Sequence, residues 1–287
     1  MAIQRISTRN ARFQQLQALL GNRAKRGRAK EFLVQGVRPI TMAVEHGWTV
    51  RSLIYDAGRP LSRWAEDLLH RVGAERVAMA PHLLAELGEK AEGTAEVLAV
   101  VEMAPDSLSR IAVHDDFLGL VFDRPTQPGN IGSIVRSADA FGADGLIVTG
   151  HAADPYDPRS VRASTGSFFA VPVVRSPSHR EVMAWLEGQR AQGWPVAVVG
   201  TDEDGDADVS EFDLTRPVLL LIGNETAGLS AAWRDLCDHV ISIPMAGSAS
   251  SLNASNAASV VLYEARRQRL AGRRTARASA VTSLPRR

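Results

Sequence analysis

The 287-residue sequence contains one cysteine, Cys237, which excludes an internal disulfide and a cysteine-based zinc cluster. Aromatic residues make up only 6% of the chain, and no apolar run approaches the length of a membrane span. The opening residues, MAIQRISTRNARF, lack the apolar core of a secretion signal. A hydrophobic content of 45% and a charged content of 23% are typical of a globular protein, which we expect to be cytoplasmic.

Acidic residues are missing from both ends of the chain. Residues 1–30 and 266–287 each carry eight basic residues and no acid. Of the 33 basic residues, 17 therefore remain in positions 31–265, against all 32 acidic residues, which gives a net charge of −15 there. Basic ends on an acidic body favour binding to nucleic acid through its phosphates. The alternative is a solvated tail, and residues 271–287 are predicted to be disordered whatever their role.

The first part of the chain predicts a small α/β domain over residues 1–104, followed by a linker at 105–117. Residues 10–30 are predicted to form a basic helix that Gly21 interrupts. Short strands and helices are predicted to alternate over the rest of this domain. The basic segment supplies the candidate nucleic-acid contacts, which are Arg23, Lys25, Arg26, Arg28 and Lys30.

From Leu118 the sequence predicts a parallel sheet covered by helices, in a second domain over residues 118–270. Its apolar runs are continuous rather than alternating, as expected for strands that are buried on both faces. These runs lie at 118–122, 145–148, 171–174, 196–199 and 218–222. Ligands of such a sheet gather at the carboxyl ends of its strands.

Polar residues follow two of these runs. Asn130 and Arg136 come after the run 118–122, and an arginine on an otherwise apolar helix needs a partner. That partner is either a structural carboxylate or a phosphate or reacting oxygen of a ligand. The segment GNETAG follows the run 218–222, and its glycines permit close backbone approach to a ligand. Neither GxGxxG nor a phosphate-binding GxxxxGKS or GxxxxGKT occurs, so a Rossmann site and a P-loop lack support.

A third polar segment lies between Ile243 and Glu264, where small residues, hydroxyls and amides separate a predicted strand from a predicted helix. Serine and asparagine are ordinary helix-capping residues, and capping alone explains the segment taken by itself. The free N–H groups of a helix N-terminus also suit a polar ligand. The two other polar loops favour the ligand.

Together the three loops resemble the SpoU/TrmH branch of the SPOUT superfamily, whose members are RNA 2′-O-ribose methyltransferases. The family motifs occur in order within residues 118–266, as PGNIGSIVRSADAFGADG, LLIGNETAGLS and ISIPMAGSASSLNASNAASVVLYE. Residues 1–104 are similar to the L30e-like RNA-binding domain that is common in this family. The whole layout also resembles the ribosomal RNA methyltransferases that confer thiostrepton resistance.

The resemblance implies a deep trefoil knot in the second domain, a homodimer, and S-adenosyl-L-methionine as the cofactor. Neither periodicity nor spacing predicts the knot, which departs from the rule that chains do not thread through themselves. The cofactor-lining positions of the family match Thr149, Gly150, Gly223, Asn224, Gly228, Ile243, Met245, Ser251 and Leu252. Its polar active-site positions match Asn130, Arg136, Glu225, Ser251 and Asn253. The sequence departs from the usual motifs at Thr226-Ala227 and at Asn256.

The implied reaction transfers a methyl group from a sulfonium to a ribose hydroxyl by in-line displacement. Its barrier lies in alignment and in the weak nucleophilicity of the hydroxyl. Arg136 is expected to act on that hydroxyl, either as a base, which requires it to lose its proton, or as a charge that stabilises the forming alkoxide. The second role is favoured because arginine is normally protonated. Asn130, Ser251 and Asn253 are expected to position the ribose.

The leading prediction is thus an RNA ribose 2′-O-methyltransferase that acts on 23S ribosomal RNA. A tRNA substrate is an alternative, because the catalytic loops do not encode the target. A catalytically silent RNA-binding protein that acts in ribosome assembly is another, although the intact Asn130, Arg136 and Asn253 argue against it. The seven histidines show no metal-ligand spacing, so no metal is expected. Trp233 is a candidate for the subunit interface.

Overall fold

The computed structural model of the chain describes residues 3–88 and 95–282, with side chains described as far as Gly272. The chain divides into two compact units. The first combines the residues up to Pro105 with the segment Asp154–Ala170, and the second contains Asp106–Ala153 and the residues from Val171 onward. The sequence does not reveal that Asp154–Ala170 belongs with the first unit, because nothing in this segment interrupts the pattern of the second domain.

The first unit contains a five-stranded mixed sheet with helices. In chain order its elements are β1 (Ile3–Ile6), α1 (Ala11–Gly21), α2 (Arg23–Ala29), β2 (Glu31–Gln35), α3 (Val37–Glu45), β3 (Val50–Asp56), α4 (Arg63–Arg71), β4 (Glu75–Met79), α5 (Pro81–Leu87) and β5 (Val97–Glu102). The sheet order is β1-β4-β3-β5-β2, with β1, β4 and β3 parallel and β5 antiparallel to β3 and β2.

The break predicted at Gly21 is confirmed, since α1 ends there and α2 begins at Arg23. Asn22 starts the second helix by accepting a 3.0 Å hydrogen bond from the backbone N–H of Lys25. Apolar side chains of α1, including Phe13 and Leu16, pack with Leu84 and Leu98 into the core of the unit. The basic residues of this region therefore lie on two short helices, except for Lys30, which follows the last residue of α2.

The segment Asp154–Ala170 is held in the first unit by aromatic packing and a buried ion pair. It contains the helix α7 (Pro158–Ala163). The rings of Phe32 and Tyr156 pack edge to face with centroids 4.9 Å apart. Trp48 donates its indole N–H to the carbonyl of Phe169 at 3.0 Å. These contacts make the segment part of the core of the unit.

The second unit is built on a seven-stranded sheet. Its elements are β6 (Leu118–Asp123), α6 (Pro128–Phe141), β7 (Gly145–Thr149), β8 (Val173–Arg175), α8 (His179–Ala191), β9 (Ala197–Thr201), β10 (Ala207–Asp208), β11 (Val218–Ile222), α9 (Ala231–Arg234), β12 (His239–Ser242) and α10 (Ala254–Thr282). Neighbouring strands are parallel throughout the order β10-β12-β9-β11-β6-β7-β8. The predicted parallel sheet is confirmed.

Strands β6, β7 and β11 are buried along their whole length, which explains why their sequences are continuously apolar. Strand β6 lies between β11 and β7, so the three strands are neighbours in the sheet. Because parallel strands end at the same edge, the loops that begin after Asp123, Thr149 and Ile222 leave the sheet side by side. This arrangement places the family motifs next to one another.

Helix α10 is anchored to the unit by Arg269, which is only 8% exposed. Its guanidinium donates to the carbonyls of Leu214, Phe117 and Arg216 at 3.0 Å each, and also to the carbonyl of Asp116. The helix continues to Thr282, into the segment 271–287 for which the sequence predicts a disordered tail. Alanine and arginine are frequent there, and both are strong helix formers. Residues 283–287 lie outside the described residues.

The described residues show neither a membrane span nor a cluster of metal ligands. Within residues 3–88 and 95–282, no helix combines the length and the apolar character needed to cross a bilayer. Nor do three or more potential metal ligands gather at any point in this part of the chain.

Candidate active site

Glu225 lies at the centre of the polar site beyond the sheet edge. Its carboxylate accepts hydrogen bonds from the backbone N–H groups of Thr126 and Gln127, from the Thr126 hydroxyl, and from the side-chain amide of Asn130, at 3.0 to 3.1 Å. Partial burial acts to raise the pKa of Glu225, but these hydrogen bonds outweigh it and hold the pKa below its usual value. Glu225 is therefore ionised at neutral pH and serves as an acceptor that orients its neighbours.

Asn130 connects the first and second motifs to the third. Its side-chain nitrogen donates to Glu225, so its side-chain oxygen faces Asn253 and accepts a 3.2 Å hydrogen bond from that side chain. Asn253 in turn accepts from the backbone N–H and the hydroxyl of Ser255, at 2.9 and 2.6 Å, near the start of α10. Asn253 thus both caps the start of α10 and forms part of the polar site. The structure brings Glu225, Asn130 and Asn253 together, as the motifs predict.

Arg136 lies on α6 and its side chain is exposed. Among the described residues it has no hydrogen bond or salt bridge. Of the two partners that the sequence leaves open, the structural carboxylate is therefore not found in the described part of the chain. Arg136 is six residues beyond Asn130 on the same helix, and the structure shows no contact between the two side chains. An exposed guanidinium without a protein partner is available to an anionic or oxyanionic ligand.

The loop between β12 and α10 contains the remaining predicted residues of the third motif. Ile243 and Leu252 are half-buried, Met245 is 40% exposed, and Ser251 is exposed. The Ser251 hydroxyl has no hydrogen bond to a described residue, so the structure does not join it to the Glu225–Asn130–Asn253 chain. This loop offers apolar side chains and a free hydroxyl at its surface.

The loop after β11 is compact and closes on itself. Asn224 and Gly228 exchange two backbone hydrogen bonds of 2.9 and 3.1 Å, and the Asn224 side chain accepts from the N–H groups of Thr226 and Ala227. A Cβ on Gly223 would lie 2.4 Å from the carbonyl carbon of Gly228, so no larger residue fits there. The sequence departure at Thr226-Ala227 is accommodated by these turn contacts.

Thr149 and Gly150, the predicted cofactor positions after β7, face different environments. Thr149 is 1% exposed, and its hydroxyl donates to Asp123 and accepts from the indole N–H of Trp233, both at 3.2 Å. Gly150 has a φ of +69°, and a Cβ there would lie 2.4 Å from Cγ of Arg124. Only its backbone can therefore face a ligand.

Trp233 is not at a subunit interface, because it is 1% exposed and packs in the core of the second unit. Sequence reasoning also missed Asp123 and Arg124, which lie where β6 ends. A charged residue that terminates a fully apolar strand was the available signal, since a buried carboxylate at a strand end must be paired. Asp123 is 2% exposed and is paired with Arg124, whose Nε lies 3.0 Å from its carboxylate.

The predicted nucleic-acid contacts on α2 differ in accessibility. Arg23, Lys25, Arg28 and Lys30 are exposed. Arg26 is 2% exposed, and its guanidinium donates to Asp154 at 2.8 Å and to the carbonyls of Leu19 and Leu20. The prediction for Arg26 is therefore wrong, because a buried guanidinium with these partners cannot reach a phosphate.

Comparison with known proteins decides the family. The SpoU L30e-like domain matches residues 10–99, and the SpoU rRNA Methylase family matches residues 118–263. The chain belongs to the SpoU rRNA methylase family. Both halves of the resemblance seen in the sequence are thereby confirmed.

Similar SpoU proteins include characterised enzymes and solved structures. The chain is 69% identical, over 95% of both sequences, to the 23S rRNA (uridine(2479)-2′-O)-methyltransferase of Streptomyces viridochromogenes. The crystal structure of the SpoU methyltransferase AviRb from that organism, in complex with S-adenosylmethionine, superposes with a TM-score of 0.89 over 91% of this chain and 99% of the other. An S-adenosylmethionine-bound rRNA methyltransferase from Sinorhizobium meliloti, 30% identical, covers 92% and 98% with a TM-score of 0.80.

Proposed function

We propose that this SpoU family member transfers a methyl group from S-adenosyl-L-methionine to a ribose 2′-hydroxyl of 23S ribosomal RNA, in the cytoplasm. The observation that carries the proposal is the hydrogen-bonded series Glu225–Asn130–Asn253, which joins one residue from each motif. Arg136 lies on the same helix as Asn130 and has no partner among the described residues. The 69% identity to the Streptomyces enzyme over nearly the whole chain supports the ribosomal target. Two alternatives, a tRNA target and a catalytically silent assembly factor, can be distinguished from it by mapping RNA methylation.

The loops after β7, β11 and β12 are the proposed cofactor site. Gly150 and Gly223 fit this role, because neither position has room for a Cβ and a side chain there cannot block the close approach of a ligand to the backbone. The N–H of Gly150 already donates to the carbonyl of Pro177 at 3.1 Å, so its carbonyl is the group left for a ligand. The apolar side chains of the third loop suit the two faces of an adenine ring. These contacts come from Ile243, Met245 and Leu252, with polar contacts from Thr149, Asn224, Gly228 and Ser251. When bound, the cofactor supplies an electrophilic methyl group on a sulfonium.

The protein side chains supply orientation and charge. Ionised Glu225 holds the amide of Asn130 in one orientation, and Asn130 together with Asn253 then presents fixed polar groups to the ribose. The guanidinium of Arg136 stabilises the negative charge that develops on the 2′-oxygen as the proton of that hydroxyl passes to solvent water. Ser251 lies in the loop between β12 and α10 and is proposed to contact the ribose or the cofactor.

The first unit is the proposed RNA-binding domain, in line with its match to the SpoU L30e-like domain. Arg23, Lys25, Arg28 and Lys30 are exposed on or next to α2 and can contact phosphates without a specific base. Arg26 is instead buried and binds Asp154, which holds the segment Asp154–Ala170 in this first unit. We propose a first domain of residues 1–104 together with Asp154–Ala170, a linker at 105–117, and a second domain over the rest of 118–270, followed by a basic tail at 271–287.

A homodimer is proposed through the outer face of α10. Val260, Tyr263 and Leu270 are 38%, 56% and 40% exposed on this helix, although large apolar side chains are more often buried. The ring of Tyr263 packs edge to face against Phe141 of α6, with centroids 6.0 Å apart, and the side chain is still 56% exposed. We also propose the trefoil knot of the family, supported by the position of β12 between β10 and β9 before the chain returns to α6 through α10.

The experiment that tests this function maps 2′-O-methylation in RNA from cells with and without the gene. Loss of a single methylated ribose in 23S rRNA, restored by the wild-type gene but not by Arg136→Ala, is the expected result. If the lost methylated ribose lies in tRNA instead, the substrate of the enzyme is tRNA and not 23S rRNA. Unchanged methylation in all RNA, with cofactor binding retained by the purified protein, would favour the silent assembly factor instead.

A further inference from the structure

Asp123 is a buried carboxylate that joins the end of β6 to two loops of the proposed cofactor site. It ends β6 and is 2% exposed. One of its oxygens accepts from the Thr149 hydroxyl at 3.2 Å, and the other accepts from the backbone N–H of Ser230 at 2.9 Å and from Nε of Arg124 at 3.0 Å. Its hydrogen bonds therefore reach the ends of β6 and β7 and the loop after β11.

The Thr149 contact extends into the core of the second unit. The indole N–H of Trp233 donates to the same hydroxyl that donates to Asp123, so the hydroxyl is fixed as both donor and acceptor. Trp233 is 1% exposed and packs with the apolar side chains beneath the sheet. The end of β7, where Gly150 begins the proposed cofactor loop, is thus tied to a rigid part of the unit.

The Arg124 contact extends in the opposite direction, to the loop after β11. Nη2 of Arg124 donates to the carbonyl of Gly228 at 3.1 Å while its Nε binds Asp123. Arg124 has a φ of +51°, a left-handed conformation that is strained for a residue with a side chain. Strain of this kind persists only where surrounding contacts enforce it, and it is concentrated at functional sites.

These contacts have one energetic consequence. A carboxylate buried to this extent is stable only when it is paired and hydrogen-bonded, so Thr149, Ser230 and Arg124 must keep their places around it. Thr149 and Ser230 are in or next to loops of the proposed cofactor site, and Arg124 donates to the Gly228 carbonyl in one of them. No contact of Asp123 with that site is needed for it to control the spacing of the loops.

We propose that Asp123 is a positioning residue for the cofactor, which sets the distance between the Thr149–Gly150 loop and the Gly223–Gly228 loop. The inference rests on the proposed cofactor site. Asp123 acts through Thr149, Arg124 and Ser230 and touches neither the cofactor nor the ribose. Its charge is the essential property, because only a carboxylate accepts from all three donors without a competing N–H group.

The test compares wild-type protein with Asp123→Asn by calorimetric titration with S-adenosylmethionine. The amide is the same size, but its NH₂ group faces donors, so the loops move apart. We expect Kd for the cofactor to rise by about 10- to 100-fold, with full binding stoichiometry. A variant that is only less well folded would bind fewer equivalents with an unchanged Kd. An unchanged Kd for Asp123→Asn would overturn the proposal.

A second pair of variants covers the case in which Asp123→Asn does not fold. Thr149→Val keeps the shape of the side chain and removes its hydroxyl, whereas Thr149→Ser keeps the hydroxyl. The proposal requires Thr149→Val to weaken cofactor binding and Thr149→Ser to restore most of the loss. Equal binding by the two variants would refute the link between Thr149 and Asp123.

Asp144→Asn is the matched control. Asp144 also links β6 and β7, but at the amino ends of these strands, away from the proposed cofactor loops. Its carboxylate accepts from the Leu118 N–H at 2.8 Å and from His114 at 2.9 Å. Its cofactor affinity should equal that of wild type. If the wild-type protein itself does not bind S-adenosylmethionine, the proposed function fails. If wild type binds and Asp123→Asn binds equally well, only the positioning role fails.

Discussion

The side-chain amide of Asn130 donates a 3.0 Å hydrogen bond to Glu225, and this single contact decides which way the amide points. Its carbonyl oxygen is thereby turned toward Asn253, 123 residues further along the chain. Glu225 has no proton to give at neutral pH, so its role is to orient. The predictions below begin with this pair.

Glutamine at position 225 should impair catalysis more than folding. In Glu225→Gln one oxygen is replaced by an NH₂ group that meets the donors of Thr126 or Asn130, so the amide of Asn130 loses its fixed orientation. We expect kcat to fall by about 10- to 100-fold, as for loss of a hydrogen bond to a charged group. Single-turnover methyl transfer to rRNA measures this. Glu187→Gln, an exposed carboxylate on α8, should leave the rate unchanged.

Acid should weaken the contribution of Glu225 to stability. Its folded-state pKa lies below the ordinary value of 4.5, so the stabilisation is present above pH 4.5 and is lost as the pH falls through the folded pKa. The free energy of unfolding of wild type should therefore exceed that of Glu225→Gln at pH 7, and the difference should shrink below pH 4.5. Urea titrations from pH 7 to acid pH test this. A difference that is constant over the whole range would contradict it.

Removal of the Arg136 guanidinium should stop methyl transfer without loss of the cofactor. The side chain has no partner among the described residues, so Arg136→Ala leaves no buried group unsatisfied. We expect kcat to fall by at least about 100-fold, the usual effect of losing one stabilising donor to an oxyanion. Calorimetry should show an unchanged Kd for S-adenosylmethionine. If Arg136→Ala retains turnover, Arg136 is not the catalytic cation.

An added methyl group at Gly223 should distort the loop after β11. The Cβ of alanine would lie 2.4 Å from the carbonyl carbon of Gly228 and 2.5 Å from the N of Leu229, both of which are backbone atoms. Gly223→Ala should destabilise the fold by about 1–3 kcal/mol and reduce cofactor affinity. Gly188→Ala on α8, which has open space around it, should instead stabilise by about 0.5–1 kcal/mol. Thermal unfolding of both variants provides the comparison.

Arg26 and Arg28 are close in sequence and should respond oppositely to substitution. Arg26→Ala leaves the buried Asp154 carboxylate without its cation and should cost about 3–5 kcal/mol of stability. Arg28→Ala should change stability by less than about 0.5 kcal/mol, but should weaken RNA binding and reduce its dependence on salt. Chemical unfolding and RNA binding at several salt concentrations separate the two roles. Equal stability of the two variants would be inconsistent with the buried ion pair.

The sequence predicts the parallel sheet and the three motif loops because both depend on local pattern. Continuous apolar runs identify β6, β7 and β11, and the motifs that follow them meet because parallel strands end at one edge. The grouping of Glu225, Asn130 and Asn253 can be predicted from the sequence for the same reason. Neither the partner of Arg26 nor that of Trp233 follows from local pattern.

Long-range pairing explains what the sequence does not predict. Asp154 lies 128 residues beyond Arg26, and only folding shows that this acidic residue neutralises one cation of an otherwise exposed basic helix. The role of Trp233 depends on a hydroxyl 84 residues earlier in the chain. Strands as short as Ile3–Ile6 and Ala207–Asp208 are also missed, because a few residues give too little periodicity to detect.

The single guanidinium of Arg269 has a practical consequence for anyone who shortens or tags this protein. Four backbone carbonyls, from two separate stretches of chain, accept hydrogen bonds from it, although the Phe117 carbonyl also accepts from the Val218 N–H. A boundary drawn before position 269 would remove all four hydrogen bonds to Arg269, whereas one drawn after Gly272 would keep them. The useful limit for a minimal or fused version of the protein is therefore set by one side chain.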